Sequence, residues 1–413
     1  MACARQFWAV LAFGLLCQAP ATAQEAARIA LRAALESAWR HAPQAQLLQA
    51  RQDEAVFAQN LAQSQLADAA RLELGHNRSL NPSADGARLR ETEIALSAPL
   101  WLPAQQQARQ HLAGHEAGYA QAQLHALRLQ LAGELRDSLW ALAAAQAALE
   151  ETQDHVQHVE QLRQQAAQSV QAGALARAEL LLAQQEVLRA HTDLHAAQTA
   201  LSEKRKHWQL LSGQSAPPES SPEPVPPAYL QAPSDSALAQ HPLLAAARQA
   251  QAVASAALKT QHALRYAPPT LGMRLKREQE GRGAASHSLA LSVQIPLGAN
   301  PQNQLAQAAA NSRLQGAHIA LTQQEMQIKA DISVAQTRLQ QAQAGLQAAQ
   351  QRSTLSREYV VLMEKAFRLG ERGLAERLRA QTLQHEAQAA LAQAHIALGL
   401  AQARIHQAWG NLP

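Results

Sequence analysis

The sequence predicts a mixed, mainly α fold: long antiparallel helical hairpins with coiled-coil packing, joined to four β-strands suited to a membrane. Three observations carry this reading. The composition is that of a helix former, the chain contains an internal duplication, and each copy holds two short alternating segments ahead of a very long helical stretch.

Of 413 residues, 47% are hydrophobic but only 3% are aromatic and 16% charged. That is poor material for a large globular core. It suits long helices, because Ala, Gln, Leu, Arg and Glu have high intrinsic helix propensity and small side chains let helices pack closely. The first 23 residues read as an export leader. Arg5 supplies the positive start, Phe7 to Leu16 the apolar stretch, and Ala21-Thr22-Ala23 the small-x-small cleavage site before Gln24. Both cysteines, Cys3 and Cys17, fall inside this leader, so the mature chain offers no thiol chemistry. Leu16 stands before Cys17 where a lipoprotein signal needs a small residue, which disfavours lipidation. The net charge of +4 includes Arg5; so mild a balance argues against a nucleic-acid partner. No later apolar run is long enough for a spanning helix, so any membrane segment must be built from strands.

The duplication organises the rest. Gly173 to Gln184 aligns with Gly370 to Gln381, sharing the pattern Gly-x5-Glu-x-Leu-x-Ala-Gln. Pro99-Leu100 matches Pro296-Leu297, and Gly213 matches Gly410, all 197 positions apart; Pro43 and Pro242 correspond with an offset of 199. The expected organisation is therefore a leader over 1–23, a first repeat over 24–213, a connector over 214–233 and a second repeat over 234–413. The connector holds Pro217, Pro218, Pro222, Pro224, Pro226, Pro227 and Pro233, which exclude a helix and predict extended chain.

Each repeat follows one plan. A first helix is expected over Ala26 to Asp68, broken near Pro43, and over Ser236 to Arg265. Two strands follow. Leu72 and Leu74 alternate with polar neighbours, then Ile94, Leu96 and Ala98; in the second repeat Leu271, Met273 and Leu275 alternate, then Leu289, Leu291, Val293 and Ile295. Period-two alternation gives one apolar and one polar face. Turn chemistry marks the connectors Ser79 to Arg90, with Asn81-Pro82 and Asp85-Gly86, and Arg277 to His287, with Gly281 and Gly283. A long helix is expected over Ala104 to Gln171 and Asn303 to Arg368, ended by Gly173 and Gly370. A returning helix then runs to Gly213 or Gly410. Its heptad stripe is Leu180, Val187, Leu194, Leu201 and Trp208, with Leu391, Leu398 and Ile405 in the second copy.

A helix of about 68 residues is roughly 100 Å long. Two shorter helices end to end would cover its apolar stripe, giving a long hairpin with strands at one end and a glycine-capped turn at the other. Four strands of about 10 residues match tilted membrane strands but cannot close a barrel. Copies must pool them, and about three copies would give roughly 12 strands. The same segments could instead form a soluble sheet carrying an extracytoplasmic coiled coil, as in a periplasmic adaptor.

The duplicated plan, the strand-ending Pro99 and Pro296, the Gly173 and Gly370 tip patterns and the terminal Gly213 and Gly410 resemble the TolC-type outer-membrane efflux family. The resemblance covers essentially the whole mature chain. It implies a homotrimer, a twelve-stranded barrel in outer-membrane lipid, and a twelve-helix periplasmic tunnel. The tip Leu369-Gly370-Glu371-Arg372 is most similar to the cobalt–zinc–cadmium branch. That branch implies a resistance-nodulation-division pump, a periplasmic adaptor and metal cations as cargo. Drugs or secreted polypeptides are the alternative cargo on the same fold.

No P-loop, HExxH, GxSxG or CxxC is present, so neither an enzyme nor a cofactor is expected. Among the 17 histidines, His111/His115, His155/His158 and His191/His195 share helix faces, but no thiolate or acidic ligand converges locally, and no metal site is expected. The functional residues are placed at the tips. The resemblance assigns adaptor docking to Gly173, Ala174, Leu175, Gly370, Glu371 and Arg372, within the surfaces Ala172 to Leu175 and Leu369 to Leu374. It assigns the gate to Glu179 and Arg372, as a link between hairpins, with Glu376 as a pore-facing acid. Phe367 and Arg379 depart from that pattern, standing where an aromatic hydroxyl and a second acid can occur.

Overall fold

The computed structural model describes residues 19–80, 88–298 and 301–413. The leader expected over 1–23 therefore lies for the most part outside the described residues, as do the turns at Asn81-Pro82 and Asp85-Gly86. The chain divides into two units. One comprises Met1–Gln46, Ala126–Pro242 and Met326–Pro413, and the other Leu47–His125 and Leu243–Glu325.

The helices come in chain order as α1 (Ala19–His41), α2 (Pro43–Ala62), α3 (Pro103–Gln171), α4 (Arg177–Ser212), α5 (Asp235–Ala239), α6 (Pro242–Ala263), α7 (Pro301–Arg368) and α8 (Leu374–Ala408). The strands are β1 (Arg71–Arg78), β2 (Leu89–Pro99), β3 (Thr270–Glu280) and β4 (Ser286–Gln294). The two long helices, of 69 and 68 residues, match the expected spans to within two positions.

The first helix of each repeat is broken before a proline, since Pro lacks an N–H and disfavours helical backbone at the residue before it. The break at Pro43 was expected; the equivalent break at Pro242 splits the helix expected over Ser236 to Arg265 into α5 and α6. The helix expected to reach Asp68 ends at Ala62. There the Ser64 hydroxyl accepts a hydrogen bond from the Leu66 N–H at 3.2 Å, a local competitor to helical bonding.

In the helical unit formed by the chain ends and middle, α1 packs on α3 and α4. Leu31, Leu35, Leu131, Leu135, Leu201 and Trp208 form its apolar centre. The heptad stripe faces inward as expected: Val187, Leu201 and Trp208 are buried, and Leu180 and Leu194 half-buried. In the second copy, Ala335 and Leu339 of α7 pack on Ala401 and Ile405 of α8.

The connector docks onto this second pair. Val225 and Tyr229 seat against it, and the Tyr229 ring stacks on Trp409 at 4.6 Å. The Gln336 amide donates to the carbonyls of Tyr229 and Gln231 at 2.9 and 2.8 Å. Beneath it, Arg136 is 2% exposed and forks onto Glu223, both bonds at 2.9 Å. Its remaining nitrogen donates to Gln407 Oε1 and the Asn411 carbonyl, again at 2.9 Å. The proline-rich segment is thus held at several points along its length.

The other unit carries an antiparallel sheet in the order β1-β2-β3-β4, so β2 of the first repeat pairs with β3 of the second. Register places Leu72 opposite Leu96, Leu96 opposite Met273, and Met273 opposite Leu291. An apolar row therefore crosses all four strands. The second-repeat strands run further than the sequence predicts. Arg277 to Glu280, expected as connector, continue β3, and Ser286 opens β4. Likewise β1 extends to Arg78 and β2 begins at Leu89. These ends are polar on both faces, so the ladder continues where the hydrophobic contrast that reveals a strand has run out.

Matching amides tie the end of the preceding helix, α2 or α6, to the start of the long helix, α3 or α7, in both repeats. Gln106 donates to the carbonyls of Gln63 and Ser64 at 3.1 and 3.4 Å, and Asn303 donates to the Leu264 carbonyl. Gln106 and Asn303 stand 197 positions apart, the spacing of the duplication.

Candidate functional site: the hairpin tips and the strand faces

Both tips are closed by glycine in the left-handed conformation, with φ of 72° at Gly173 and 74° at Gly370. The hydrogen bonds are those of a Schellman cap. Gly173 N–H donates to Val170 and Ala174 N–H to Ser169; Gly370 N–H donates to Phe367 and Glu371 N–H to Ala366, all at 2.9 to 3.0 Å. A Cβ at either glycine would meet nothing within 4 Å, so the requirement for glycine is backbone conformation rather than space.

The tips pack on each other through Leu162, Ala166, Ala183, Leu374 and Leu378, with Leu175, Leu180 and Phe367 half-buried against them. Two residues of the expected docking surface, Leu175 and Leu374, face this shared core. Leu374 is 1% exposed and Leu175 turns toward the shared core, because an apolar side chain beside a tip gains more by covering the other hairpin than by facing water. Ala172, Gly173, Ala174, Leu369, Gly370, Glu371 and Arg372 remain exposed.

The gate residues are arranged differently from the pairing the resemblance implies. Arg372 pairs with Glu376, one turn away on its own helix, at 2.8 Å. Glu179 reaches the second tip but lies against Gly373, 3.5 Å from where a Cβ would stand, with its Oε2 buried and without a hydrogen-bond partner. Near the tips, Arg377 joins the hairpins. Its guanidinium donates to Glu364 at 3.1 Å and to Gln165 of α3 at 3.3 Å, and lies over the Phe367 ring at 5.1 Å. Sequence reasoning passed over Arg377, yet a signal existed. The heptad stripe places Leu180 in the first repeat and Arg377 at the same position in the second, with Gln384 one heptad further on.

Those two polar exceptions border a cavity of about 460 Å³ between the hairpins, also lined by His155, His158 and His385. The His155 and His385 rings stack at 4.0 Å. His385 Nδ1 is 2.9 Å from Glu151 Oε1, an ion-pair distance without hydrogen-bond alignment, and His155 Nε2 is 3.6 Å from Glu186. Burial, then the neighbouring His385, pushes the His155 pKa below its ordinary value, with Glu186 opposing. Of the other histidine pairs, His191 meets Glu160 at 3.3 Å, while His111 and His115 are exposed. Among the described residues no three potential ligands are gathered around one metal-sized position.

On the sheet, the two faces differ in kind. One carries Leu72, Leu74, Ile94, Leu96, Leu271, Met273, Leu275, Leu289, Leu291 and Val293, all exposed. The other carries Glu73, Glu91, Glu93, Arg274, Lys276 and Glu278; Lys276 pairs with Glu91 and Glu278, and Arg274 with Glu93. Among the described residues, β1 and β4 pair on one side only. No described helix is long and apolar enough to cross a membrane.

Neither a scan against protein-family models nor a search of curated proteins finds a match. Solved structures do match along nearly the whole chain. CusC, described for its folding and transmembrane channel formation, is 16% identical, with 92% of each chain covered and a TM-score of 0.75. The outer membrane protein VceC of Vibrio cholerae is 18% identical over 94% of this chain and 98% of its own, also at 0.75. The Campylobacter jejuni CmeC outer membrane channel is 12% identical over 92% and 85%, at 0.74. The chain therefore has the fold of these channels: long helical hairpins joined to a four-stranded barrel segment.

Proposed function

We propose that this protein is one subunit of a trimeric outer-membrane channel of the TolC type, a passive conduit rather than a catalyst. The carrying observation is the four-stranded sheet with an exposed apolar face, a charged opposite face and two open edges. In lipid such edges are satisfied only by closure with further copies, and the apolar face then covers the outside of a polar lumen. The helical hairpins extend this conduit into the periplasm. Their exposed tips, Ala172 to Ala174 and Leu369 to Arg372, dock a periplasmic adaptor, and through it a resistance-nodulation-division pump that supplies the driving force.

Heavy-metal cations are the cargo best supported. The second tip resembles the metal branch, and three assembled chains would repeat Glu376, paired with Arg372, and the strand-face Glu73 around the conduit as rings of carboxylates. Paired histidines that gather no third ligand fit a conduit, which must release what it carries. The gate in this reading is the packed tip interface, with Arg377 as the cross-hairpin tie and Glu179 beside it. Deleting the gene and challenging the strain with a panel of metals and drugs tests the assignment. Sensitivity confined to metals supports it, and sensitivity confined to drugs reassigns the cargo.

A further inference from the structure

The apolar face of the sheet changes character along its length, and the register shows how. Rows across the strands read Leu72, Leu96, Met273 and Leu291, then Leu74, Ile94, Leu275 and Leu289. The next row is His76, Thr92, Arg277 and His287, and the one beyond begins Arg78, Arg90 and Gln279. Arg78 and Arg90 are directly opposed, a like-charge pairing that costs stability unless an anion lies between them. All three arginines and both histidines are exposed. Among the described residues none of these arginines is in an ion pair, although the opposite face holds Glu73, Glu91, Glu93, Glu278 and Glu280. Every strand carboxylate thus points away from this belt. The belt also lacks the aromatic side chains usual where a barrel leaves the hydrocarbon.

We infer that Arg78, Arg90 and Arg277, flanked by His76 and His287, form a binding belt for the phosphorylated headgroups of outer-membrane lipid. The inference rests on the channel reading above, which turns this face toward lipid. The belt begins one row beyond the apolar band, where long arginine stems cover hydrocarbon while their guanidinium groups reach the headgroup level. The planar guanidinium matches phosphate oxygens two at a time, and paired arginines can hold one phosphate between them.

The test uses full-length protein extracted as assembled oligomers from outer membranes and delipidated. Binding of doubly phosphorylated lipid A, and of the same lipid stripped of phosphate, is followed by native mass spectrometry. The wild type is expected to prefer the phosphorylated lipid by about a hundredfold, and R78Q/R90Q/R277Q to lose that preference. R78K/R90K/R277K, which keeps the charges, should recover part of it. Excess inorganic phosphate should leave the lipid bound; displacement would mark a free-anion site and overturn the assignment. Equal affinity of the wild type for both lipids would overturn it too, and that comparison decides the matter even if the glutamine variant does not assemble. A wild-type chain that forms no membrane oligomer would instead overturn the channel reading itself.

Discussion

Replacing Arg136 by methionine removes a side chain that is 2% exposed and makes four hydrogen bonds of 2.9 Å to three residues, Glu223 in the connector and Gln407 and Asn411 near the C-terminus. Methionine fills much of the volume, so the loss is electrostatic. Glu223 keeps its carboxylate without its fork, and Gln407 Oε1 and the Asn411 carbonyl lose a donor. Breaking a buried pair by removing one partner costs about 3 to 5 kcal/mol. The Glu223 side chain is 20% exposed and borders a cavity of about 480 Å³ that admits water, which places the cost near the lower end, about 3 kcal/mol. The second change Glu223→Gln removes the orphaned charge and should recover roughly half of that loss. R136K should behave more like R136M than like wild type, because a lysine cannot satisfy both carboxylate oxygens and the two further acceptors. Limited proteolysis of the connector 214–233, with thermal loss of helical circular dichroism, reads this out. R136M should cleave faster within the connector and melt at lower temperature. Unchanged cleavage and melting would refute the assignment of Arg136 as the connector's anchor.

Three further outcomes are expected. R377M should raise single-channel conductance by loosening the hairpin tie, whereas R372A, which loses only an exposed pair worth about 0.5 kcal/mol, should leave conductance unchanged; the reverse pattern would restore the gate to Arg372. Burial is the largest cause lowering the pKa of His155, His241 and His406, so the fold holds them neutral. Their stabilising effect is complete above about pH 6.5 and is lost as pH falls through the lowered values. Thermal midpoints should therefore drop on acidification, less so in H155Q, and a flat profile in both proteins would contradict this. Gly370→Leu and Gly173→Leu place a bulky side chain in the left-handed region at about 1 to 2 kcal/mol and alter the exposed tip. Oligomers should persist while export fails, and normal resistance would remove the tips from the docking surface.

The duplication, the long helices and the alternating strand cores were legible because each leaves a periodic hydrophobic signal. Where periodicity fades, the reading stopped short. Arg277 to Glu280 look like a turn because both faces are polar, and their pairing with Leu89 to Thr92, and of Arg277 and Glu278 with His287 and Ser286, makes them strand. The tips were located by Gly173 and Gly370, whose conformational role is local. The contacts across the tips were not, since which carboxylate meets which arginine depends on how two hairpins pack. Arg377 could have been found as the polar break in a heptad stripe, and Arg136 could not. It is one of four arginines in α3, with nothing in its local sequence to set it apart, and its partners Glu223, Gln407 and Asn411 are remote in sequence.

Central to the account is that chains pool their strands into a closed barrel. The mass of the complex extracted from outer-membrane fractions, measured with and without heating, tests this directly. The account predicts a species of three chains that resists detergent until heated and then migrates as a single chain of 44.5 kDa or slightly less, according to whether the leader expected over 1–23 is removed. A water-soluble monomer recovered from the periplasm would contradict it.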